Sequence, residues 1–158
     1  MKFHYTPRFL EDYESVEHDP LLWVTFKSPT SGGTAAVLGM IDSGAAEILL
    51  HTGIGEAMGI DIASGEKALY GGIGGVIEGY KHTVLMQVRG DRKAHEVRVA
   101  FAPIEGMDAL FGQRGFFENY KVVLALVPFR VTQVFVLHLC HFLPQEDLME
   151  REAMVQNP

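Results

Sequence analysis

Between Val37 and Ala46 the chain reads V-L-G-M-I-D-S-G-A-A, an apolar strand that runs directly into a carboxylate and a turn of small residues. No other stretch restricts the fold as much. A carboxylate on the end of a buried strand is opposed by desolvation and by unpaired charge, so it needs either compensating partners or a chemical task. Asp42 is therefore the candidate catalytic group. The ordinary alternative is an N-cap or turn aspartate, common at such positions. What favours chemistry is the pattern built around it.

The 158 residues suit one domain with a single core, and a composition of 47% hydrophobic and 21% charged residues is that of a globular protein. A formal net charge of -7, with no Lys/Arg cluster interleaved with aromatics, argues against nucleic acid as a partner. Cys140 is the sole cysteine, which excludes an internal disulfide. With no secretory signal at the N-terminus, the expected compartment is the reducing cytoplasm. The apolar run Val127 to Leu143 is broken by Pro128, Arg130, Gln133 and His138 and is shorter than the ~20 residues of a span, so no membrane partner is expected.

Along the chain, residues 1–19 are acidic and aperiodic, and read as an N-terminal arm, mobile or loosely docked. Leu21 to Lys27 and Ala35 to Ile41 read as strands joined by S-P-T-S-G-G, with Trp23 as a packing aromatic. Glu47 to Leu50 continues as a short strand, and Thr52 to Met58 makes one or two helical turns stopped by Gly59. Gly53, Gly55 and Gly59 are spaced like a dinucleotide fingerprint but lack the parallel βαβ context that it needs. Gly71 to Gly75, G-G-I-G-G between two strand-like arms, reads as a flexible hairpin tip and a candidate lid. Around R-G-D-R a second hairpin forms, with Val97, Val99 and Phe101 on one face, and M-D-A-L-F-G gives a late apolar strand before a helical turn and Tyr120 to Leu124. The fold reads as mainly β.

Four segments together, I-D-S-G-A at Ile41 to Ala45, G-I-D at Gly59 to Asp61, G-G-I-G-G at Gly71 to Gly75 and A-L-F-G-Q-R-G-F-F at Ala109 to Phe117, resemble the retropepsin-type aspartic proteases in their bacterial single-domain branch. The resemblance covers roughly Leu21 to Leu124, a domain taken as residues 20–126. It implies a closed β-barrel-like acid-protease fold with one or two short helices. It also implies a homodimer that sets Asp42 against Asp42, because one D-S-G per chain supplies only half of a carboxylate pair. By the same resemblance Ser43 and Gly44 support the catalytic loop, while Ala45, Ala46, Gly72, Ile73 and Gly74 contact a peptide or protein substrate. No cofactor and no metal are implied.

Several residues depart from that pattern. Gly112 is followed by Gln113 and then Arg114, where many members have arginine at once, which puts any ion pair of that arginine in doubt. Ile48 stands where a hydroxyl residue is common. The tail, residues 127–158, has no counterpart and reads as an apolar strand, Val131 to Phe142, and a helix begun at Pro144 and running to Val155. His138, Cys140 and His141 split between the two faces of that strand and make a poor metal site. His51 and His82 have no evident partner. The function expected is an aspartic endopeptidase, general or confined to one substrate. The alternative is a non-catalytic peptide-binding or dimerisation module that keeps the fold.

Overall fold

The computed structural model describes residues 1–9, 16–72, 75–125 and 134–139. Its strands are β1 Lys2–His4, β2 Thr6–Phe9, β3 Val16–Asp19, β4 Leu21–Lys27, β5 Thr34–Ile41, β6 Ile48–His51, β7 Glu66–Gly72, β8 Gly75–Val88, β9 His95–Ala102, β10 Ala109–Phe111, β11 Tyr120–Ala125 and β12 Val134–Leu139. One short helix, α1 Thr52–Ala57, follows β6, and a 3-10 turn covers Ile62–Ser64.

Six strands, in the order β4-β5-β10-β6-β9-β8, form a ring that closes when β8 pairs back onto β4. Closure works because β8 is 14 residues long and changes partners along its length. Its last residues pair with β4 (Val24↔Val88), its middle with β9 (Val84↔Val97), and its first part with β7 (Tyr70↔Ile77). The β7–β8 hairpin therefore projects from the barrel as an antiparallel arm, and a closed ring leaves few unpaired edges.

Alternation decides which residues fill the barrel. In β4, Leu22, Val24 and Phe26 point inward, while Trp23 is 49% exposed. Trp23 thus sits on the outer face and is not the packing aromatic expected from its hydrophobicity. The centre is aromatic: Phe26, Phe101, Phe111, Phe116 and Tyr120 are fully buried, and Phe111 stacks on Phe116 at 5.3 Å between ring centroids and 21° between planes.

The first residues are more ordered than an aperiodic arm suggests. β1 pairs with β12, and β12 with β11, in a three-stranded sheet, while β2 and β3 form their own hairpin. Tyr5, between β1 and β2, is 8% exposed and packs in the main core. Local pattern could not reveal this, because the partner of β1 lies more than a hundred residues along the chain. Of the tail strand expected from Val131 to Phe142, β12 forms the described part. The helix expected over Pro144 to Val155, together with Cys140 and His141, lies outside the described residues.

Phe111→Ala is expected to lower the free energy of unfolding by about 3–5 kcal/mol, because the ring is lost where no neighbour can collapse into the space. Urea titration followed by tryptophan fluorescence measures it.

Candidate active site

Asp42 follows the last residue of β5, and the turn after it is braced by the segment after β10. β10 lies between β5 and β6, parallel to the first (Phe111↔Ile41) and antiparallel to the second (Leu110↔Leu49). The Asp42 N–H donates to the Phe111 carbonyl (3.1 Å), the Gln113 N–H to Ala45 (2.9 Å) and the Arg114 N–H to Ala46 (3.0 Å). The Gln113 side chain reaches further and donates to the Ser43 carbonyl at 2.9 Å. Gly112 is buried where the two segments touch. A Cβ there would stand 2.4 Å from the Glu47 carbonyl oxygen and 2.6 Å from that of Ala45, so only glycine allows the approach.

Within the turn, the Gly44 N–H donates to Asp42 Oδ1 at 2.8 Å, and the Ala45 N–H to the Asp42 carbonyl at 3.2 Å. The carboxylate thus orients itself through its own turn, and Asp42 is half-buried while Ser43, Gly44 and Ala46 are exposed. Ala45, half-buried, and Ala46 share this loop. Gly72 is exposed at the end of β7, with open space where a side chain would project. Ile73 and Gly74 lie outside the described residues.

A cavity of about 700 Å³ is lined by Leu21, Leu38, Met40, Ile104 and Met107 together with Asp19, Glu105 and Asp108. Met40 is two residues ahead of Asp42. It lies beside Leu110, which lies beside Leu49, so an apolar row crosses the outer face of the sheet toward a second buried cluster of Leu49, Ala100, Ala102 and Ile104. Tyr70 and Ile77 of the hairpin pack on that cluster. These residues were not singled out in the sequence. The signal was there in the run I-L-L at residues 48–50, which is apolar on both faces as a strand covered on both sides must be.

Glu47, which the sequence did not single out, is a buried carboxylate five residues after Asp42. Its side chain is 3% exposed, and a single oxygen, Oε1, receives the Tyr70 hydroxyl at 2.8 Å, Lys81 Nζ at 2.8 Å and Arg114 Nη2 at 3.5 Å. Burial by itself opposes its ionisation, but the hydrogen bonds from Lys81 and Tyr70, with the charges of Lys81 and Arg114, outweigh that and hold the carboxyl below its ordinary range. Tyr70 is shifted upward, by burial first and by the Glu47 carboxylate second. The doubt over the ion pair of Arg114 is thus resolved by position: the guanidinium pairs with Glu47. Ile48, in place of a hydroxyl residue, is fully buried in the main core. His51 and His82 also have partners: His51 Nδ1 accepts the Gly53 N–H at the start of α1, and His82 Nε2 lies 3.0 Å from the Ile62 carbonyl.

Gly53, Gly55 and Gly59 fall in and just after α1, and the next strand, β7, enters an antiparallel hairpin, which excludes the dinucleotide geometry. Among the described residues no cluster of His, Cys, Asp or Glu is arranged to hold a metal ion, and no helix is long and apolar enough to cross a membrane.

Comparison with solved structures decides the fold. The retropepsin-like aspartic protease from Rickettsia conorii superposes with a TM-score of 0.52 over 73% of this chain and 88% of its own, at 14% identity. The chain has a retropepsin-like fold. EIAV protease, solved with an inhibitor, is also similar, at 19% identity over 66% of this chain and 88% of its own, with a TM-score of 0.46. No family model and no curated protein sequence matches. The closed barrel is the one that the resemblance of the sequence implies.

Two outcomes follow from the brace and from Glu47. Gly112→Ala should destabilise the protein by about 1–3 kcal/mol, since the clash is with main chain on both sides; chemical denaturation reads it. Glu47, and likewise Asp91, is held below the ordinary carboxylate range, in Asp91 against burial by Tyr120, the Lys93 N–H and His95. Groups shifted downward stabilise the fold above their unfolded pKa and cease to do so as the pH falls through the folded value. The urea midpoint should therefore fall steadily as the pH drops below about 4, and more shallowly in Glu47→Gln.

Proposed function

We propose that the protein is an aspartic endopeptidase in which Asp42 from each of two identical chains forms one catalytic pair. The observation that carries the reading is Asp42 itself: its carboxylate accepts the Gly44 N–H, and its own main-chain N–H donates to the Phe111 carbonyl, on a loop of a retropepsin-like barrel. The fold gives the frame and the residue gives the chemistry.

One chain offers one such carboxylate, so a two-fold axis is needed to bring in the second. Two carboxyls a few ångströms apart share a proton, because both cannot ionise cheaply, and the two titrations belong to the pair. The ionised member removes a proton from a held water as it attacks the peptide carbonyl, and the protonated member later gives its proton to the leaving amine as the C–N bond breaks. No acyl-enzyme forms. Ser43 and Gly44 keep the loops aligned, and Ala45, Ala46 and Gly72 offer main-chain groups to an extended substrate, which binds as an added strand. The cavity beside Met40 accepts apolar side chains of that substrate. One cysteine in the whole chain agrees with work in a reducing compartment, the cytoplasm.

Peptide-library cleavage read by mass spectrometry, from acidic to neutral pH, tests the reading. Wild type should cut with an optimum below neutral, and Asp42→Asn should lose at least about a thousandfold in rate while keeping its unfolding midpoint. Equal silence in wild type and variant favours a peptide-binding module, and a strict monomer in light scattering at assay concentration excludes the shared pair.

A further inference from the structure

Tyr70 joins two parts of the molecule that are far apart in sequence. It lies on β7 two residues before Gly72, opposite Ile77, and its hydroxyl donates to Glu47 Oε1 at 2.8 Å, five residues beyond Asp42. The ring is held as well as the hydroxyl. Gly79, buried in β8, has no side chain where one is normally found, and a Cβ there would stand 2.9 Å from Tyr70 Cε2. Lys81 Nζ, itself 2.8 Å from Glu47, sits 6.0 Å from the centre of the ring.

Beyond this point the grip ends: Gly71, Gly72 and Gly75 have open space where a side chain would project, and Leu69 and Val76 are each 69% exposed. Lifting the arm as a whole separates a phenol from a buried, ionised carboxylate, which leaves that carboxylate short of a strong donor. The arm's other ties are weaker. Lys67 pairs with Glu78 within the hairpin itself, and Glu66 pairs with Arg98 on the exposed surface.

We propose that Tyr70 is a positioning residue: its hydroxyl bond to Glu47 fixes the β7–β8 hairpin, close behind its tip, to the segment that follows the Asp42 loop, and so sets the height at which the hairpin meets a bound peptide. The tie is a property of the free protein. Its consequence for catalysis rests on the endopeptidase reading above, and the two are separable by experiment.

Hydrogen–deuterium exchange on the full chain is compared between wild type, Tyr70→Phe and Leu69→Ala. Tyr70→Phe keeps the ring over Gly79 and deletes only the donor, so the amides of residues 68–72 and 75–79 should exchange about tenfold faster while those of β4 and β5 are unchanged. Leu69→Ala, on the same strand but outside the tie, should stay within about twofold of wild type in the same amides. In peptide cleavage Tyr70→Phe should raise KM with kcat nearly kept, as expected for loss of positioning. The tie is refuted if hairpin exchange does not change in Tyr70→Phe, if β4 and β5 accelerate equally, or if Leu69→Ala matches it. If wild type cleaves no peptide, the endopeptidase reading fails while exchange still decides the tie.

Discussion

The insertion of β10 between β5 and β6 governs the rest of the structure. Three main-chain hydrogen bonds run from residues 42–46 to residues 111–114, and the contact is close enough that Gly112 admits no side chain. A turn of small residues ending a strand would otherwise sample many conformations, since Ser, Gly and Ala restrict the backbone weakly. Held from below by a strand that is itself buried, it has one. Asp42 inherits that rigidity.

The same junction explains Glu47. A buried carboxylate without partners costs several kcal/mol, so its presence beside the Asp42 loop requires donors. They come from three elements: Tyr70 from the hairpin, Lys81 from β8 and Arg114 from the segment after β10. The ion pair with Arg114, which is 60% exposed on its side chain, adds little by itself, whereas the bonds from Tyr70 and Lys81 are short and shielded. The network ties the Asp42 loop, the barrel wall and the hairpin arm together.

A similar arrangement secures the other end of the barrel. Asp91, in the β8–β9 turn, accepts the Tyr120 hydroxyl at 2.6 Å and lies 3.2 Å from His95 Nε2, while the rings of His95 and Tyr120 meet edge to face. Tyr120 opens β11, so this cluster joins the barrel to the terminal sheet. Buried polar groups are placed at both junctions where separate pieces of sheet must hold a fixed relation, and the apolar core fills the space between them.

The sequence by itself determined the strands with clean alternation or strong turn signals, the place of Asp42 at the end of a strand, the short helix ended by Gly59, and the glycine-rich hairpin. Each of these follows from neighbours within a few residues, through side-chain period, steric freedom or the cost of burying a charge. Only the tertiary structure decided that Trp23 faces outward, that residues 2–4 pair with residues 134–136, that Met40, Leu110 and Leu49 form one apolar row, and that Glu47 is buried among Tyr70, Lys81 and Arg114. The reason is physical: pairing across long separations, and the burial of a charge that its partners make possible, depend on which strands become neighbours once the barrel closes. No local pattern carries that information.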